Sequence, residues 1–125
     1  MTPGADGSVR VLGLLHVNVE VTDVARALEF YKIFNLRALD RKGTPGRVGA
    51  WFGLPDGREL HLSQGPAKPH GRAHFAIQVA DLAATRAACE SAGATIETER
   101  EIEGLVRFFT LDPDGNRIEC VQLVR

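Results

Sequence analysis

Side chains able to hold a divalent cation recur in this sequence at one fixed interval. His16 and His74 lie 58 positions apart, and the same offset carries His61 onto Glu119. Three imidazoles and one carboxylate make a donor set of borderline softness that suits Zn, Ni, Co, Fe or Mn without selecting among them. The offset extends beyond these four residues. His16-Val-Asn-Val-Glu-Val-Thr-Asp23 aligns with His74-Phe-Ala-Ile-Gln-Val-Ala-Asp81, Pro55-Asp56-Gly57 with Pro113-Asp114-Gly115, and Gly46 with Gly104, all without a gap. A supersecondary unit written twice is indicated, with each copy contributing two donors. His70 falls outside the register and reads as a surface or structural residue.

The elements that must position these donors follow from periodicity. Val11 to Glu20 alternates as a strand, and Asp23 is placed to cap a helix running to about Phe34, whose apolar positions Val24, Ala27, Leu28, Tyr31 and Phe34 recur at helical spacing. Short strands are expected near Arg37 to Asp40 and Arg47 to Leu54. The Pro55-Asp56-Gly57 turn then sends the chain back as a strand from Arg58 to Ser63. The second half repeats the order. It has a strand from His74 to Ala80, a helix from Leu82 to about Ala92 stopped by Gly93, and strands near Thr95 to Glu99, Leu105 to Leu111 and Asn116 to Val124. The fold class is therefore α+β, two βαβββ modules forming a curved mixed sheet with helices on the outer face. A single domain over 1–125 is expected, with modules at about 11–64 and 74–124 and a Gly- and Pro-marked linker at 65–73.

Strand parity fixes which way the donors point. Val17, Val19 and Val21 share the face that packs under a helix, leaving His16, Asn18 and Glu20 on the other. Phe75, Ile77 and Val79 do the same for His74 and Gln78. Leu60 and Leu62 oppose Glu59 and His61, while Ile118 and Cys120 oppose Arg117 and Glu119. All four donors thus lie on faces turned away from the helices. Asn18, Trp51, Gln78, Arg107, Phe109 and Arg117 are candidates to line the same hollow, where an arginine could hold an anionic group. Glu59 sits two residues before His61 on the same face and is an alternative ligand or base.

Composition narrows the partners. With 125 residues, 44% hydrophobic and 25% charged, the chain is long enough to bury a core. Its 15 Lys and Arg are interspersed with 16 Asp and Glu, giving a net charge of -1 and no basic face for nucleic acid. No apolar run is long enough to span a membrane and none resembles a secretory signal, so a cytoplasmic location is expected. Cys89 and Cys120 are too few for a disulfide framework and read as buried apolar residues.

His16 on a first strand, the Asp-initiated helix with Phe30-Tyr31, His74, and Phe109-Thr-Leu-Asp112-Pro-Asp-Gly-Asn116-Arg-Ile-Glu119 resemble the vicinal oxygen chelate superfamily. That group includes glyoxalase I, fosfomycin-resistance thiol transferases, methylmalonyl-CoA epimerase, extradiol dioxygenases and metal-free bleomycin-resistance proteins. The resemblance implies a divalent metal that presents two open positions to a small substrate with adjacent oxygens, and so a glyoxalase-like lyase or isomerase. Glu119 then takes the proton-moving role. The sequence departs from glyoxalase I at His61, where that family usually has Glu. The alternatives are an extradiol dioxygenase-like oxygenase using Fe(II) and a non-catalytic, antibiotic-binding resistance protein. Because each half supplies only two donors, a homodimer is expected, with His16 and His61 of one chain meeting His74 and Glu119 of the other.

Overall fold

The computed structural model describes residues 7–41, 46–68 and 71–124; Pro69 and His70 lie outside them. In chain order the elements are β1 (His16–Val21), α1 (Val24–Tyr31), β2 (Arg37–Leu39), β3 (Gly49–Gly53), β4 (Glu59–Gln64), β5 (His74–Gln78), α2 (Leu82–Ser91), β6 (Thr95–Glu97), β7 (Leu105–Leu111) and β8 (Arg117–Leu123). They form two four-stranded mixed sheets, ordered β1-β4-β3-β2 and β5-β8-β7-β6. The α+β class and the βαβββ order of each half are those expected from the sequence.

The duplication is visible in the hydrogen-bond register. His16 lies opposite Glu59 and Asn18 opposite His61 in the parallel β1/β4 pair. In β5/β8, His74 lies opposite Arg117 and Ala76 opposite Glu119, the same pairings displaced by one repeat. Trp51 pairs with His61 and Phe109 with Glu119 in the antiparallel ladders. The repeat is therefore three-dimensional, and equivalent sequence positions occupy equivalent places on equivalent sheets.

Both helices begin as their caps dictate. The Asp23 carboxylate accepts from the Arg26 backbone N–H at 3.2 Å and Asp81 from that of Ala84 at 3.0 Å. The first helix tightens at Lys32–Phe34 into a 3-10 turn, closed by Asn35 in the left-handed conformation. The first strand is shorter than its alternation suggests. It starts at His16, whereas Val11 to Leu15 lie outside the ladder and are exposed. A strand needs a neighbour, and the neighbour β4 begins only at Glu59, after the turn at Pro55-Asp56-Gly57. Gly13 also leaves the strand conformation, at φ +155°.

One hydrophobic core takes side chains from both modules. Val19, Val21, Val24, Ala27, Tyr31, Leu60 and Leu62 from the first join Cys89, Phe108, Ile118 and Cys120 from the second. Cys89 and Cys120 are fully buried, and burial pushes the Cys120 thiol up to about 12. The turn that follows β7 locks the two halves together. The Asp112 carboxylate accepts from the Tyr31 hydroxyl at 2.9 Å and from Asn116 Nδ2 at 2.8 Å. Burial, with the adjoining Asp112 carboxylate, raises the Tyr31 phenol far above its ordinary value. Asp114 accepts from the Thr22 N–H and hydroxyl, and Asn116 Nδ2 donates to the Glu20 carbonyl.

Candidate functional site

The polar faces of the two sheets carry two clusters. On the first sheet His61 is sandwiched between the His16 imidazole at 4.1 Å and the Trp51 indole at 4.2 Å, with all three rings within 15° of parallel to their neighbour. His61 is buried, because β3 covers one side of it and β1 the other. Its Nε2 lies 2.8 Å from Glu59 Oε1, so the two alternative candidates of this strand are hydrogen-bond partners. Asn18 and Ser63 exchange hydrogen bonds beside them. These groups line a cavity of about 600 Å³ that also receives Arg41 and Arg47.

On the second sheet His74 Nε2 lies 3.1 Å from Glu119 Oε1, and Arg107 Nη1 donates to Glu119 Oε2 at 3.1 Å. Phe109 meets the His74 ring edge-to-face at 5.1 Å. Arg117 lies 4.5 Å over the Phe109 ring and is held by Glu97 and Glu99. Gln78 is exposed at the end of β5, away from this cluster's contacts.

The chemistry of the second pair fits a cation. His74 Nδ1 lies 2.9 Å from the Arg72 carbonyl, an acceptor, so Nδ1 carries the hydrogen. In the neutral ring Nε2 is then an acceptor facing a carboxylate oxygen, and two acceptors 3.1 Å apart need a proton or a metal between them. Two donors about 2.1 Å from one ion and at right angles about it stand roughly 3.0 Å apart. On the first sheet the fit asks for one adjustment. His16 and His61 lie in nearly parallel planes with centroids 4.1 Å apart, so their in-plane lone pairs stay in separate layers and one ring must turn before both reach a single ion.

The structure brings His16 to His61 and His74 to Glu119, but it does not join the two pairs. Among the described residues no three His, Cys, Asp or Glu side chains come together as a metal site. Arg41 and Arg47 are cavity residues that the sequence reading missed. Arg41 lies beside Gly49, the position that aligns with Arg107, its Cζ 3.2 Å from where a Gly49 Cβ would stand.

The sequence model of the glyoxalase/bleomycin resistance protein/dioxygenase superfamily matches residues 13–120. The chain belongs to this superfamily. Among solved structures of the fold, a Bacillus anthracis protein described as of the glyoxalase family superposes with a TM-score of 0.83 at 24% identity, covering 92% of this chain and 98% of that one. The fosfomycin resistance protein FosX from Listeria monocytogenes, as an E126Q mutant complexed with Mn(II) and 1S,2S-dihydroxypropylphosphonic acid, gives 0.73 at 19% identity, covering 89% and 92%. Lactoylglutathione lyase from Agrobacterium tumefaciens gives 0.71 at 19% identity, covering 90% and 94%. No curated protein matches the sequence. At these identities the superpositions establish the fold that superfamily members share.

Proposed function

We propose that this superfamily member is a metal-dependent, glyoxalase-like lyase or isomerase acting on a small substrate with adjacent oxygens. The observation that carries the reading is the His74–Glu119 pair, a ring nitrogen and a carboxylate oxygen 3.1 Å apart that a proton or a metal ion would join, with the far ring nitrogen held by a backbone carbonyl. His16 and His61 complete the donor set from the equivalent register positions of the first module. FosX, a relative in fold, is described with Mn(II), which supports a divalent ion in such a cup. When bound, the ion supplies Lewis acidity toward negative charge developing on an enolate or alkoxide. Within the chain, Glu119 moves the proton, and Arg107 on its second oxygen keeps the carboxylate oriented while it does so.

The two donor pairs stand apart within one chain, so the working unit is a homodimer in which one chain lends His16 and His61 and its partner His74 and Glu119. An exposed apolar segment supports assembly: Val9, Val11, Leu12, Leu14 and Leu15 are each at least 71% exposed, a density that isolated domains seldom leave to water.

Calorimetric titration with Zn, Ni and Mn tests the metal reading. About one ion per chain is expected for the natural sequence, and at least a hundredfold weaker binding for His16→Ala with His74→Ala. Unchanged affinity in that double variant would reject the site. A turnover panel of hemithioacetal, catechol and fosfomycin substrates then separates lyase chemistry from dioxygenase chemistry and thiol transfer.

A further inference from the structure

The two modules place a guanidinium at the same point of their polar faces by different means. In the second, Arg107 projects from β7 and takes the Glu119 carboxylate. In the first, the equivalent position is Gly49, where the Leu62 carbonyl oxygen leaves no room for a side chain, and Arg41 comes alongside from beyond the end of β2, its Cζ and Nη2 3.2 and 3.3 Å from where a Gly49 Cβ would be. The residue equivalent to Glu119 is His61, which offers no charge to a guanidinium. Arg41 Nη1 donates to the Arg47 carbonyl, and among the described residues no carboxylate lies within ion-pair distance of it. None of Lys42 to Pro45 is acidic. The Nε atoms of Arg41, Arg107 and Arg117 are all buried without a hydrogen-bond partner, but Arg107 meets Glu119 and Arg117 meets Glu97 and Glu99, whereas Arg41 has no such counter-charge among the described residues. Arg41 nonetheless lines the 600 Å³ cavity that holds His16 and His61.

A guanidinium that lines a cavity with no carboxylate beside it lacks a counter-charge that an oxyanion would supply, and its planar fork matches carboxylate and phosphonate oxygens. We infer that Arg41 is the anion-recognition residue of this cavity, and that the substrate carries a carboxylate or phosphonate group held there beside the oxygens presented to the metal. The inference rests on the proposed active site for its meaning, but anion binding by Arg41 is measurable without turnover or metal. Discrimination follows from charge: an uncharged analogue leaves the Arg41 guanidinium without a counter-charge, and selectivity against it should exceed tenfold.

The test is nitrogen-15 NMR of arginine Nε–H groups in the full chain, purified without added metal and titrated separately with methylphosphonate, acetate and sodium chloride. The Arg41 resonance should shift to saturation with methylphosphonate or acetate, and whichever binds more tightly identifies the oxyanion class. Chloride should not saturate it. Arg41→Gln should weaken the better anion at least tenfold, and Arg41→Lys, which keeps the charge without the fork, should restore only part of that loss. Equal affinity in Arg41→Gln, or the same shift with chloride, overturns the assignment. Metal titration of Arg41→Gln separates the two proposals. Unchanged metal affinity with lost anion binding supports both, whereas anion binding by Arg41 in a chain that takes up no metal would sink the enzyme reading and leave the anion site standing.

Discussion

Asp114 and its neighbours show how one turn can serve two purposes. Pro55-Asp56-Gly57 and Pro113-Asp114-Gly115 close the same turn, with Gly57 N–H donating to Leu54 and Gly115 N–H to Asp112, both at 2.9 Å. Asp56 spends its carboxylate locally, accepting from the Arg58 N–H at 2.9 Å. Asp114 instead reaches across to the first module, where it accepts from Thr22 N at 3.1 Å and Thr22 Oγ1 at 2.6 Å. Burial acts to raise the Asp114 carboxyl, but these hydrogen bonds and Arg26 outweigh it and hold the group below its ordinary value. Arg26 is half exposed, so its ion pair adds little and the Thr22 bonds dominate. A depressed folded value means stability that is complete above the unfolded carboxyl value near 3.9 and is lost as pH falls through the folded one. Asp114→Asn should therefore cost about 1–3 kcal/mol in urea unfolding at pH 7, with the gap to the natural chain closing below about pH 4. A gap that stays constant to pH 3 would show that the carboxylate charge is not what joins the modules.

At the level of strands and helices, the parts that local rules determine were legible in advance. Asp23 and Asp81 cap because a carboxylate one position before a helix finds an orphan N–H, and the β4 and β8 parities follow from alternation. The limits of β1 were not legible, since Val11 to Leu15 alternate well and only the absence of a neighbour strand excludes them. Arg41 was not legible because its place in the cavity depends on how the chain beyond β2 comes alongside Gly49, which no donor pattern reveals. His61 and Glu59 looked like competitors in the sequence, yet the fold makes them partners 2.8 Å apart. The register pairing Asn18 with His61 and Ala76 with Glu119 makes His61 the positional equivalent of Glu119, which supports our proposal that His61 is the ligand and Glu59 orients its ring. His61→Ala should thus weaken metal binding by about a hundredfold or more, and Glu59→Gln by no more than about tenfold. The reverse order in calorimetric titration would move the ligand to Glu59 and displace the functional register by two residues at this strand.

Across the whole molecule, the core decides where the half-sites can meet. Tyr31, Phe108, Ile118 and Cys120 bury the helix-side faces of both modules against each other, and the Asp112 and Asp114 bonds hold them there. With those faces committed, the donor pairs remain apart in one chain, and our proposal takes the other pair from a second copy. Mixing two defective variants measures this directly. One carries His16→Ala with His61→Ala and the other His74→Ala with Glu119→Ala, so neither homodimer has an intact site under any arrangement. If sites are shared between chains, random re-pairing makes about half of the dimers mixed, each with one complete site, and about a quarter of all sites should recover metal binding. If each chain instead closes its own cup, the mixture binds no more metal than its components. Subunit exchange, followed by mass spectrometry of isotope-labelled chains, must be shown in the same sample. Exchange without recovery would then refute the shared site, because every mixed dimer would contain all four donors and still fail to bring them together.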